Sequence, residues 1–404
     1  MLYDVGIIGA STSGLACAYA TAKNGKQVLL LEKNDRIGRK IAATGNGKCN
    51  VANMHFDDSC YRSTDKAIVN QFMNENSYKE VLSFLEDLGV PCTEKNGYYY
   101  PSSMQATTVI RALEHGVKHY GVNIVCGMCV TDVHYDSSRF QINCGDNIYE
   151  VKNLVLATGG CASAKHGSDG FGFELAKKFG HSVMDTVPAL VPLTSDAAFC
   201  KQLSGVRQNA KAVLKIDGKV FYEEQGEVQF TDYGISGIVI FNMSRFANVA
   251  LKKDMSVDVE LDLLPDIELK ALLARLIYLS EKAKYASLYD IVSGFLPDKL
   301  ANVVIGLSGL ASEQIASKVN GDNMLKVAKV MKSLVFHISG NRGFEQAQVT
   351  AGGVSLAEIS DCFASTKKEN LYLVGEILDV DGACGGYNLS FAFLSGLKAG
   401  KHII

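Results

Sequence analysis

Residues 4–33, DVGIIGASTSGLACAYATAKNGKQVLLLEK, constrain the fold more than any other stretch of this chain. An apolar run, Val5 to Ile8, ends in Gly9-Ala10-Ser11-Thr12-Ser13-Gly14. A helix-like stretch follows, and a second apolar run, Val28 to Leu31, closes on Glu32. Strand, glycine turn, helix and parallel strand ending in an acid form the layout of a dinucleotide-binding βαβ unit. Gly9 permits the turn. The helix beginning near Ser13 directs unpaired N–H groups and the positive end of its dipole at a pyrophosphate. Gly14 lets helix and strand approach closely, and Glu32 is placed to accept from a ribose 2′-hydroxyl. Ser11 stands where the pattern has its second glycine and adds a small Cβ at the phosphate, which weakens the match. A glycine turn without a ligand is the bland alternative; the strand, helix and acid around it favour the nucleotide.

At 404 residues the chain is long enough for two or three domains with a sizeable core. Its 47% hydrophobic and 21% charged residues predict an ordinary soluble globular protein. A net charge of −3 without a Lys/Arg run predicts no basic face and no nucleic-acid partner. The chain enters its first strand at once, with Asp4 inside it, so no secretory signal is expected. No apolar stretch reaches the length of a membrane span, and a cytoplasmic protein without membrane contact is the simplest expectation.

The 11 cysteines show no framework spacing, and Cys17, Cys92 and Cys144 sit in apolar contexts as small hydrophobes. Cys126-Gly-Met-Cys129 is the exception. Its surroundings, VNIVCGMCVTDV, alternate like a strand, which would place the two thiols on opposite faces. A structural role is therefore preferred to a redox one. With no second CxxC, no metal site is expected.

Further along, helices are expected near 65–88 and 105–120, separated by GYYYPSS, and short strands near 123–144. NLVLATGG at 153–160 reads as a strand running into Gly159, with a helix opening at about 171. From Leu190 to about Glu260 the chain reads as strands, and from 264 to 334 as charged helices. A strand near 334–339 leads to QVTAGGV, and the last segment is again strand, glycine loop and helix. Nucleotide-type elements thus lie at both ends. The fold expected is α/β: a discontinuous domain, 1–188 and 351–404, interrupted by a β-rich part, 189–262 and 334–350, and a helical part, 263–333. The insertion is expected to cap a cofactor and shape a substrate pocket at the domain boundary.

Two further segments point to a flavin. Gly38-Arg39-Lys40-Ile41-Ala42-Ala43-Thr44-Gly45-Asn46-Gly47-Lys48-Cys49-Asn50 combines glycine turns with cations suited to a pyrophosphate. Gly375-Glu376, Asp379, Asp381-Gly382 and Gly385-Gly386-Tyr387-Asn388-Leu389 precede a helix. An acid at a strand end binds a ribityl or ribose hydroxyl, and the helix's first N–H groups stabilise charge on a flavin pyrimidine ring.

GRKIAATGNGKCNVAN, EVQFTDYGISG, QVTAGGV and YLVGEILDVDGACGGYNLSFAFLSGLKAG, in that order, resemble the YhiN/BaiN-like family of FAD-dependent bacterial oxidoreductases, which includes enzymes described as aminoacetone oxidases and bile-acid enone reductases. The resemblance implies a split FAD-binding Rossmann-like domain of the glutathione-reductase type, an inserted β-barrel-like domain and a small helical domain. It also implies FAD contacts at Gly9, Ser13, Gly14, Glu32, Arg39, Lys40, Lys48, Cys49, Asn50, Glu376, Asp379, Asn388 and Leu389, with Val130 holding the adenine end through its backbone. Ser11, Lys33, Thr44, Gly47, Gly159, Gly375, Gly386 and Tyr387 complete the candidate cofactor set. The chain departs from the family's FTHxGxSG pattern, with Asp232 in place of His and Ile238 in place of the following proline; Phe393 stands where Trp is usual.

A flavin carries the hydride chemistry, and the protein positions the substrate and tunes the ring. The reaction expected is NAD(P)H-dependent reduction of an activated C=C bond, such as a steroid-like enone, with hydride passing through flavin N5. No second dinucleotide fingerprint follows Gly170-Phe-Gly172, so a nicotinamide would visit the substrate pocket transiently. Tyr387 and Asp232 are the candidate proton donors, each with an ordinary packing or surface role as its rival. The alternative reaction is oxidation of an amine or aminoketone by O₂. A flavin-carrying tRNA-associated protein is the non-enzymatic alternative. Cys49, beside glycines and lysines, is weighed as a reactive thiol and preferred as a backbone contact. The substrate and oligomeric state are not legible.

Overall fold

The computed structural model describes residues 2–136 and 138–403. The chain divides into two compact units, Met1–Pro188 with Phe344–Ile404, and Ala189–Gly343.

In the first unit, strands Asn123–Cys126, Val28–Glu32, Leu2–Ile8 and Asn147–Leu156 lie side by side and parallel. Val28–Glu32 is buried along its whole length, as expected of a parallel strand covered on both faces. Asn147–Leu156 serves two neighbours. Its first half pairs antiparallel with Arg139–Cys144, which pairs in turn with Asp132–Asp136. Its last residues, Leu154 to Leu156, pair parallel with Leu371–Leu373. That pairing brings a strand from the end of the chain beside the strands that begin it.

Two helices fasten the same junction. Thr12–Lys23 is rich in small residues and buried over almost its whole length. It packs against Tyr387–His402, where a Cβ at Gly396 would lie 3.0 Å from the Ser13 carbonyl carbon, and one at Gly400 2.6 Å from the Cys17 oxygen. Glycines four residues apart share one helix face, so the two backbones approach without intervening side chains.

The second unit is a seven-stranded antiparallel sheet with helices in one shared apolar core. Arg207–Ile216 and Lys219–Thr231 form its long hairpin, flanked by Val257–Asp262 on one side and Gly234–Ser236 on the other. The stretch 334–341 closes the path: Leu334–His337 pairs with Val257–Asp262, and Gly340–Asn341 pairs with Leu193–Thr194. The sheet therefore curls back on itself as a barrel-like layer. Helices Leu269–Lys282, Leu288–Ser293, Asp298–Leu307 and Gly321–Lys332 follow.

Three expectations are corrected. The stretch 190–260 contains helix Ile238–Leu251, whose apolar Val239, Ile240, Met243 and Ala247 fall at helical spacing on the buried side. β-branched and aromatic residues around it resembled strand. GYYYPSS is not a bare separator, because Tyr98–Pro101 is the middle strand of a small sheet and Tyr99 stacks on Tyr78 at 5.6 Å. The strand holding Cys126 ends there, since Gly127 turns with φ +70°, and Cys129 and Val130 lie outside any strand. The opposite-face argument for the CxxC pair therefore fails, and both thiols are exposed and free.

Candidate functional site

The glycine turn has the geometry its sequence requires. Gly9 has φ +106°, and a Cβ there would meet the Ala157 carbonyl carbon at 2.9 Å. A Cβ at Gly14 would run into the carbonyl oxygen of Gly9. Ser11 is the N-cap of Thr12–Lys23 in extended conformation, with no side-chain cap bond, so the helix's first N–H groups are left to another acceptor. Glu32 is 8% exposed. Its Oε2 accepts from the Ala10 N–H at 2.9 Å, and its Oε1 from the Asn34 N–H and Nδ2 at 2.9 and 2.6 Å. A carboxylate offers about four acceptor positions, so these bonds orient Glu32 and leave room for a hydroxyl.

The C-terminal segment meets this turn through Ser13, whose Oγ donates to the Val374 carbonyl at 3.4 Å. Gly375, with φ +76°, follows; a Cβ there would sit 2.5 Å from that hydroxyl. Beside it, Lys40 Nζ lies 2.5 Å from Glu376 Oε2 and also donates to the Ala162 carbonyl at 3.3 Å and Ser168 Oγ at 3.4 Å. Glu376 Oε1 accepts from the Thr350 N–H at 2.9 Å, and Thr350 Oγ1 accepts from the N–H groups of Cys161 and Ala162 at 2.8 and 3.0 Å. Lys40 and Glu376 thus neutralise each other while tying together three separate stretches of the unit. Gly159, at φ +73°, faces Ser168 across the same loop.

Asp379 is buried, 1% exposed. Its Oδ2 accepts from the Thr64 N–H at 2.8 Å and Ser63 Oγ at 3.2 Å, whereas its Oδ1 is enclosed without a partner among the described residues. A buried acceptor left unpaired costs about 1–3 kcal/mol. Seven residues on, the chain turns into helix Tyr387–His402 through Gly386, with φ +97° and no side-chain cap. A Cβ at Gly386 would strike Asn50 Oδ1 at 2.7 Å and the Ala52 carbonyl carbon at 2.8 Å, which sets the 44–50 loop beside this helix start. In that loop Gly47 and Cys49 have φ +81° and +58°, Thr44 Oγ1 donates to the Ile41 carbonyl at 2.7 Å, and Lys48 is exposed.

Several candidates have other duties. The Tyr387 hydroxyl donates to the His55 carbonyl at 3.0 Å and its ring meets Tyr61 edge-on at 5.6 Å. Burial pushes its pKa well above the ordinary tyrosine range, and its hydroxyl proton is engaged by a backbone carbonyl. The Asn388 side chain folds onto Gly382, accepting from its N–H at 2.8 Å and donating to its carbonyl at 2.9 Å, which fixes the orientation of its amide and leaves its second N–H and second lone pair open. Lys33 pairs with Asp169 at 2.7 Å. Arg39 reaches Asn34 Oδ1 at 3.2 Å and Asp35 at 3.6 Å. Asp232 is exposed in the turn after Lys219–Thr231 in the second unit. The Cys49 thiol is fully buried, and burial pushes it up to about 12, contrary to a reactive thiolate. Val130 is buried in the irregular link after Asn123–Cys126, and Leu389 is half-buried in the first turn of the last helix.

Sequence reasoning missed Asn34, Ser63, Thr64, Cys161, Ser168 and Thr350. Thr350 stands in QVTAGGV, so a signal was present, but its partners arrive from distant parts of the chain. The others carry no pattern of their own.

A dinucleotide turn at a helix start, an oriented acid at the next strand end, a buried carboxylate with one oxygen unpartnered among the described residues and a second uncapped helix start fit FAD. This fold and site define a flavin-dependent oxidoreductase. The chain belongs to the family described as HI0933-like protein Rossmann domain, which it matches over residues 3–402. It is 36% identical to a 3-dehydro-bile acid delta(4,6)-reductase of Clostridium scindens, covering 98% of both chains. It is 29% identical to a ribosomal RNA dihydrouridine synthase of Haemophilus influenzae, covering 96% of this chain and 95% of that one. In fold it resembles a solved 3-ketosteroid-delta4-(5alpha)-dehydrogenase of Rhodococcus jostii, with TM-score 0.53 and 13% identity over 100% of this chain and 96% of the other. Among the described residues no helix is long and apolar enough to cross a membrane.

Proposed function

We propose that this enzyme reduces a C=C bond conjugated to a carbonyl, taking a small enone of the steroid or bile-acid type with NAD(P)H as electron donor. The observation that carries the proposal is the full-length likeness, at 36% identity, to a reductase of such a bond. Bound FAD supplies the hydride chemistry at N5. The chain's own residues do the rest. The start of Thr12–Lys23 would hold the pyrophosphate, Glu32 would accept from ribose hydroxyls, and Asp379, with its Oδ1 left open, would accept from a cofactor hydroxyl. The uncapped first N–H groups of Tyr387–His402 would stabilise negative charge on a flavin's pyrimidine ring. The Lys40–Glu376 pair holds the surrounding loops in register. The protein acts in the cytoplasm. The test is anaerobic stopped-flow spectroscopy: NADH or NADPH bleaches the flavin, and a 4-ene-3-one steroid restores its colour. Bleaching by aminoacetone with release of peroxide, and none by nicotinamide, would overturn this in favour of an oxidase.

A second reading has its own support in the likeness to ribosomal RNA dihydrouridine synthases, at 29% and 25% identity. The uracil C5=C6 bond is conjugated to the C4 carbonyl, so hydride addition at C6 follows the same electronic pattern as addition to an enone. On this reading the substrate is a uridine in ribosomal RNA, and the expectation of no nucleic-acid partner falls. Mass spectrometry of ribosomal RNA from a strain lacking the gene tests it: a missing dihydrouridine supports it, and unchanged RNA removes it.

A further inference from the structure

We propose that the exposed face of helix Leu269–Lys282 and the turn after it is a contact surface for single-stranded RNA; the inference rests on the uridine reading above. The net charge of −3 hides a local excess. From Leu269 to Ala286 the chain carries Lys270, Arg275, Lys282 and Lys284 against Glu281, with the acids Asp266, Glu268 and Asp290 lying before the helix and after the turn. The inward face of the helix, with Leu272, Leu276 and Ser280, is buried in the core of the second unit, so the cations project on the outward side.

Aromatic rings are interleaved with them. Tyr278 is 48% exposed, and the Arg275 guanidinium and Lys282 ammonium lie 5.4 and 5.6 Å from its ring centroid. Arg275, Tyr278 and Lys282 are spaced three and four residues apart and so share one helix face. Tyr285 follows at 87% exposure, an unusual burden of apolar ring surface to leave in water. Ser317 Oγ bonds the Lys284 carbonyl at 3.3 Å, which brings the exposed Lys318 into the neighbourhood of this turn.

Cations at the spacing of a helix turn suit backbone phosphates, the open Tyr285 ring suits an unstacked base, and Tyr278 offers one only where the base displaces Arg275 or Lys282 from its ring. This combination favours a single strand over duplex DNA or an anionic membrane, because a duplex hides its base faces and a lipid headgroup has none.

The test uses full-length, FAD-loaded enzyme and a fluorescein-labelled uridine-rich RNA of about 20 nucleotides, read by anisotropy. Wild type is expected to bind with an affinity that falls as salt rises. Tyr278→Ala and Tyr285→Ala should each weaken binding by about 5–100-fold. Arg275→Glu with Lys282→Glu should weaken it and flatten the salt dependence by about one to two charges. Melting temperature and flavin content report whether each variant is folded. Ultraviolet crosslinking of wild type to the same RNA is expected to mark the peptide carrying Tyr278 and Tyr285, and it decides the matter if a variant misfolds. No binding, equal binding by all variants, equal affinity for duplex DNA or anionic vesicles, or crosslinks confined to other peptides would each overturn the proposal. RNA binding through this face with unchanged dihydrouridine in the deletion strain would sink the uridine reading alone.

Discussion

Replacing Gly396 by alanine tests the junction on which the split nucleotide fold depends. The new Cβ would lie 3.0 Å from the Ser13 carbonyl carbon and 3.1 Å from the Cys17 nitrogen, with the Ser13 oxygen nearer still. All of these are backbone atoms of helix Thr12–Lys23, so no side chain can swing away. Restoring ordinary contact requires the last helix to retreat by about 0.5–1 Å, and overpacking of this kind costs about 1–3 kcal/mol. The melting transition should fall by about 2–10 °C. Because Ser13 also bonds the Val374 carbonyl, the shift reaches both the glycine turn and Gly375, and retained flavin should fall with it. The control is Gly306→Ala, which sits in helix Asp298–Leu307 with nothing within 4 Å of its Cβ. The same chemical change there should stabilise by about 0.4–1 kcal/mol. Calorimetry with the ratio of flavin to protein absorbance reads both variants. A Gly396→Ala protein as stable and as yellow as wild type would show that the two helices do not bear on each other as described.

Four other outcomes are expected. Asp379→Ala should weaken FAD binding by about 10–100-fold in an apoprotein titration, and an unchanged dissociation constant would mean that Oδ1 meets no cofactor hydroxyl. Tyr387→Phe should leave turnover within about threefold while costing about 1 kcal/mol of stability; a large loss of kcat would restore Tyr387 as proton donor. His181 is buried between Glu358, 3.2 Å from Nδ1, and Ser365, 2.7 Å from Nε2, and burial lowers its pKa below the usual 6.5 despite the pull of Glu358. The unfolded chain therefore takes up a proton that the folded chain refuses, so stability is full above about pH 6.5 and declines as pH falls toward the lowered value. His181→Gln should show a shallower decline between about pH 7 and 5, and parallel stability curves would refute the assignment. N-ethylmaleimide should label the exposed Cys126 and Cys129 in the native protein, while Cys17 and Cys49, both pushed up to about 12 by burial, react only on unfolding.

Much of the site was legible because its signals are local. The residues of a glycine turn, a strand-end acid and a helix start are consecutive, and backbone sterics and the helix dipole act on neighbours in the chain. Gly9, Gly14, Glu32, Asp379 and Gly386 were therefore readable in place. Side-chain partners were not. The sequence leaves Tyr387 between a proton donor and a packing ring, and only the fold sets the His55 carbonyl beside its hydroxyl and Gly382 against the Asn388 amide. The CxxC pair was misjudged through a single positive φ at Gly127, which ended a strand that alternation alone would have continued.

The sequence by itself determined the dinucleotide βαβ unit, the recurrence of nucleotide elements at both ends and the flavin chemistry they imply, since each follows from short-range pattern. Only the tertiary structure decided that Lys40 meets Glu376, that Thr350 caps the loop after Gly159, and that one Asp379 oxygen has no partner among the described residues. It also buried Leu272, Leu276 and Ser280 and so left the helix face of Arg275, Tyr278 and Lys282 exposed. The reason is physical: burial and pairing depend on what the rest of the chain brings alongside, and a contact across more than 300 residues, such as Lys40 to Glu376, leaves no mark in the order of its neighbours.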